Sequence, residues 1–184
     1  MKDTKVDYKK TEYWERVEEF LNELPTIPWL IPQIEPGPGW WLFDSQSMAR
    51  NEAYRLMKDP SSRESWNSKW FEIEEKVYDV AEDGSRKEAL EAAAYAAWHV
   101  LWNEIREIIR ERLPGESPDT VDDVLGCIAG DVLLMAEALA CGGLPLPQEY
   151  IDHLESRMNV WRNGFTLVCD LNGEFLVYAD LTRS

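Results

Sequence analysis

The chain has 184 residues, 45% of them apolar and nine of them tryptophan, which suffices for one domain spanning 1–184 with a real core and excludes wholesale disorder. Thirty-five acids against nineteen bases leave a formal charge of −16, a field that repels phosphate and anionic lipid and so argues against nucleic-acid or membrane binding. Met1 to Lys10 lacks the apolar stretch of a secretory signal, and three cysteines without metal-ligand spacing fit a reducing compartment, so a cytoplasmic protein with small buried cysteines is expected.

In chain order, Trp14, Val17, Leu21 and Leu24 recur at helical spacing behind Thr11, a capping residue, and Pro25 ends that helix. Residues 25–43 hold five prolines among Trp29, Ile31, Ile34, Trp40 and Trp41, which excludes helix and predicts an extended strap across the helices. A second helix is expected from Asp44 to Lys58, stopped by Pro60. Ser61 and Glu64 form a capping box for a third, with Trp66, Trp70, Ile73, Val77 and Val80 as one apolar stripe and Gly84 closing it.

Ser85 and Glu88 repeat the capping signature and open a long alanine-rich helix to about Leu113. Its stripe reads Leu90, Ala94, Trp98, Leu101, Trp102, Ile105, Ile108 and Ile109, so Trp98 and Trp102 are expected in one core with Trp66 and Trp70. Ser117 and Pro118 begin a helix to Ala140, with Gly142 and Gly143 past its end; it is apolar nearly all round and should be central. Pro147 starts another, ending at Asn163 and Gly164.

Asn172-Gly173 between Phe165–Leu171 and Glu174–Asp180 predicts a two-stranded antiparallel hairpin over 165–180, with Val168 opposite Val177 and the strap covering its second face. The expected fold is therefore mainly α: five to six helices bundled around a central helix at about 118–140, with a C-terminal hairpin.

Between Arg112 and Arg157 there are nine carboxylates and no lysine or arginine, and one of the acids, Asp131, interrupts the apolar run from Val124 to Ala136. A buried carboxylate there needs a donor. If the helices flanking Pro114 form an antiparallel hairpin, Asp131 falls level with Trp102, and His99, Asn103 or Arg106 lies within a turn of it. Asp131, His99, Trp102, Asn103 and Arg106 are thus the candidate buried polar site. Glu149 and His153 share a helix face but make at best half of a metal site, and no metal or catalytic motif stands out.

The ExxE pair Glu104 and Glu107, followed by Gly130-Asp131, is faintly similar to the paired carboxylates of all-α nucleoside-triphosphate pyrophosphohydrolases, although Ile128 stands where the second pair has its glutamate. That similarity implies Mg²⁺ as cofactor and is the enzymatic alternative. The composition favours a binding module without a cofactor, with a basic protein as partner in the manner of an immunity or antitoxin-like protein, and Trp29, Trp40 and Trp41 as the partner surface. A monomer is expected ahead of a structural homodimer.

Overall fold

Caps and breakers set the first helix where its spacing does: α1 spans Glu12–Glu23, and the Thr11 hydroxyl accepts from the Trp14 N–H. A computed structural model describes residues 11–82, 85–142, 146–171 and 173–179. Among these the chain is mainly helical with a small three-stranded mixed sheet toward the C-terminal end. Gly84, Gly143, Asn172 and Asp180, given roles above as terminators and in the hairpin, lie outside the described residues, as does Met1–Lys10.

The strap leads into β1 (Trp40–Phe43), followed by α2 (Gln46–Lys58), which Ser45 caps by accepting from the Met48 N–H. The continuous third helix expected from Ser61 is two helices, α3 (Pro60–Ser65) and α4 (Ser68–Ala81). Asp59 caps α3 in place of Ser61, and the break falls at Trp66 and Asn67, where Asn67 adopts the left-handed conformation with φ 47°. Sheet pairing drives the break: Trp66 bridges Leu171, and the Asn67 N–H donates to the Asp170 carbonyl at 2.8 Å.

The long helix forms as α5 (Ser85–Val100), one π turn (Leu101–Ile105) and α6 (Arg106–Arg112), the Arg106 N–H reaching back to the Leu101 carbonyl. The residues it buries are Ala89, Leu90, Ala93, Ala97, Leu101, Ile105 and Ile109. Steps of four drift around an α-helix by about 40° each, because 3.6 residues make a turn. The wider π turn absorbs that drift and returns Ile105 and Ile109 to the core.

Trp98 and Trp102, one position on from Ala97 and Leu101, are thereby turned outward, each 47% exposed. This overturns the shared tryptophan core: alanines face inward because α7 packs closely there, and the two large rings do not fit that contact. Trp98→Ala is accordingly expected to cost less than about 1 kcal/mol in urea denaturation, whereas Trp161→Ala, at a fully buried ring, is expected to cost about 3 to 5 kcal/mol. Equal losses would refute the outward placement.

The central helix α7 (Pro118–Ala140) starts where Ser117 caps it and packs against α1, α4, α5, α6 and α8 (Gln148–Arg162). No helix of the described residues is long and apolar enough to cross a membrane. Two strands follow, β2 (Thr166–Leu171) and β3 (Glu174–Tyr178).

The sheet order is β1-β3-β2, so the hairpin gains a third strand that runs parallel to β3, from Trp40 opposite Phe175 to Phe43 opposite Tyr178. A bare hairpin leaves the outer edge of β3 unpaired, and the apolar Trp40–Phe43 segment supplies partners for it. A bulge at Val168 shifts the register, so Leu167 rather than Val168 faces Val177. The second face of the hairpin is covered by Ala53 and Leu56 of α2 over Cys169 and Leu176, not by the strap.

Trp29 is fully buried; its indole N–H donates to the Leu24 carbonyl at 2.8 Å and its ring lies 6.2 Å from that of Trp161. Of the three strap tryptophans expected at a partner surface, Trp29 is therefore a core residue, Trp40 packs edge-on against Phe165, and Trp41 alone is well exposed. Cys141 and Cys169 are buried, but Cys127 is exposed.

Candidate functional site

On α8 the residues His153, Arg157 and Trp161 recur every fourth position and so share one face. That face meets Asp131 of α7 and Asp170 of β2. The Arg157 Nε donates to Asp131 Oδ1 at 2.6 Å, and the Trp161 indole N–H to Asp131 Oδ2 at 2.8 Å. Arg157 Nη1 donates to Asp170 Oδ2 and, at 3.2 Å, to Asn67 Oδ1, which also accepts from the Asp170 backbone N–H at 2.9 Å. His153 Nε2 lies 3.1 Å from the same Asp170 Oδ2.

Asp131, Arg157 and Asp170 are all buried. Burial alone would raise the Asp170 pKa, but the His153 hydrogen bond and the Arg157 charge outweigh it and hold the carboxyl below its ordinary range. The Asp170 Oδ1 has no hydrogen-bond partner among the described residues, nor has the buried Trp70 indole nitrogen nearby on α4.

Asp131 is thus the buried acid that its setting in the sequence requires, but its donors come from α8. His99, Trp102, Asn103 and Arg106 do not reach it. Arg106 instead meets Asp122, at 2.8 Å, which places the α5–α6 segment in a different register along α7 from the one assumed. His99 and Asn103 bond each other at 3.0 Å on the exposed side. Arg157 carried a signal: it is the first arginine after an acid-rich stretch without lysine or arginine, and it falls amid Leu154, Met158, Val160 and Trp161. Asp170 gave less, because one acid in a short apolar strand also reads as an outward position.

Two other features stand out on the surface and in the core. Tyr95, Trp98 and Trp102 form an exposed stripe; the Trp98 and Trp102 rings stack at 6.0 Å, Tyr95 stacks on His99 at 6.3 Å, and the Arg106 guanidinium lies 4.8 Å above the Trp102 ring. Glu91 and Glu88, exposed one and two turns before Tyr95, continue the same side of α5. In the core, Glu137 of α7 is 6% exposed, beside the Tyr78 hydroxyl and Glu74, and burial pushes its carboxyl up to about 7.

The carboxylates of the phosphohydrolase alternative do not converge. Glu104 and Glu107 are exposed, with Glu107 held by Arg110 at 2.9 Å, while Asp131 is turned to Arg157. Glu149 pairs with Lys69 at 3.4 Å and not with His153. No group of three or more His, Cys, Asp or Glu that could hold a metal ion occurs among the described residues. Comparison with protein-family models, curated proteins and solved structures found no match.

Proposed function

We propose that the chain is a protein-binding module whose Tyr95–Trp98–Trp102 stripe receives a cationic segment of a partner protein. The observation that carries the reading is the stacked, half-exposed Trp98 and Trp102 pair. Large rings held face to face in water are apolar surface left without a partner, and tryptophan is the residue most enriched where interfaces concentrate their energy.

The charge of the partner follows from what surrounds the stripe. Arg106 already lies over Trp102, so that ring offers a face suited to guanidinium or ammonium groups. Glu88 and Glu91 at one end of the stripe and a net charge of −16 favour a basic approach and speed encounter. A second copy of this acidic chain would be repelled there; self-association would instead use the outer edge of β1, where Trp41 and Leu42 are exposed.

The test uses an arginine-rich 15-residue peptide and a glutamate-rich control, followed by tryptophan fluorescence. The basic peptide is expected to bind saturably, and Trp98→Ala with Trp102→Ala to weaken it at least tenfold while melting is nearly unchanged. Binding that is equal in the parent and the double variant would reduce the effect to diffuse charge and overturn the reading.

A further inference from the structure

Five features meet at one cleft of about 190 Å³, between α4, α7, α8 and β2. Asn67, in its left-handed conformation, is at one wall; the bulged Val168 is at another. Gly130 leaves the α7 side bare, and a Cβ there would stand 3.9 Å from Trp70 Cζ2, the ring carbon through which that indole meets the glycine. The indole N–H is buried without an acceptor among the described residues. Asp131 and Arg157 close the inner end.

Sheet pairing accounts for Asn67 and for the bulge, but a buried donor without an acceptor carries a cost that a fold avoids where packing alone is at stake, and such groups gather at binding sites. We infer that this cleft is a binding site for a small neutral planar molecule bearing a carbonyl beside an N–H, as in a carboxamide, a lactam or the edge of a nucleobase. With a rotation of the Trp70 ring that opens its buried nitrogen to the cleft, the carbonyl accepts from Nε1. The N–H donates to Asp131, whose two oxygens each take one hydrogen bond from the protein and each retain a second lone pair.

Charge and size narrow the ligand further. Asp131 disfavours an anion and Arg157, beside it, disfavours a cation, so the adjoining pair selects a neutral dipole. A cavity of about 150 Å³ takes one benzene ring. This cleft therefore admits a single substituted ring, stacked toward Trp70 and the exposed Phe71 at the mouth.

Three probes of nearly the same shape separate the possibilities: benzamide, benzoate and benzamidinium, each titrated into the full chain by ligand-observed saturation transfer and by the shift of the Trp70 indole N–H resonance. Benzamide is expected to bind saturably, at least tenfold tighter than either ion. Trp70→Phe should weaken it about three- to tenfold, the worth of one hydrogen bond. Cys127→Phe, which blocks the mouth from an exposed position, should abolish it; Val168→Phe closes the cleft from the strand side if the first variant is unstable. No saturation by benzamide, equal response to all three probes, or full binding in a folded blocked variant would each overturn the assignment and leave the cleft to solvent.

Discussion

Arg157→Leu is expected to lower stability by about 3 to 5 kcal/mol in urea denaturation at neutral pH, as large a loss as removing the fully buried Trp161 ring. The leucine itself fits an apolar helix face, so the loss comes from what it leaves behind. Asp131 and Asp170 would remain buried, facing each other across the vacated site, with only Trp161 and His153 left beside their carboxylates as side-chain donors. Removing the charges together should restore much of the loss: Asp131→Asn and Asp170→Asn added to Arg157→Leu are expected to recover more than half of it. A single substitution costing under about 1 kcal/mol, or three losses that simply add, would show that the cluster is not a coupled unit.

The second large effect is a pH dependence centred on Glu137. Its carboxyl is raised from the ordinary 4.5 to about 7 by burial, an increase that the Tyr78 hydrogen bond moderates and the nearby Glu74 reinforces. A raised acid is protonated in the folded chain at pH values where the unfolded chain has already ionised. Its contribution is therefore fully present below about 4.5 and is lost as pH rises through about 7, at roughly 1.4 kcal/mol per unit, or about 3 kcal/mol in all.

Glu137→Gln keeps the shape and the Tyr78 contact but cannot ionise. Subtracting its stability profile from that of the parent should expose the descent, with the variant the more stable of the two above pH 8. Parallel profiles between pH 4 and 8 would mean that the carboxyl ionises freely in the fold.

How far the fold was legible depends on whether the signal was local. Thr11 and Ser117 cap as their positions suggest, and Pro118 to Ala140 forms as one helix. The break at Asn67 was hidden, because a capping box at Ser61 and an unbroken stripe to Val80 agree with each other, while the force that splits them is pairing with Asp170, more than a hundred residues away. The same holds for the site. Asp131 announced a buried charge but not its partner, since the distance from α7 to α8 and the register of α5 are tertiary facts. For Trp98 and Trp102, a stripe drawn at regular α spacing had no room for the π turn, so it read the rings as inward.

The parallel pairing of β1 with β3 has a consequence in time. Trp40 to Phe43 are made early, but the strand that receives them, Glu174 to Tyr178, is made roughly 130 residues later. Until then α2 has no Leu176 to cover, Asn67 has no Asp170 to pair with, and Arg157 lacks its second carboxylate. At about 5 to 20 residues per second, a ribosome leaves Trp41, Leu42 and the surface meant for Cys169 uncovered for some seconds. Contacts of such long sequence separation also close slowly in the finished chain. The helices around α7 are thus expected to assemble first, and the sheet with its charged cluster to lock last, so that the nascent chain is most prone to aggregate through the Trp40–Phe43 segment.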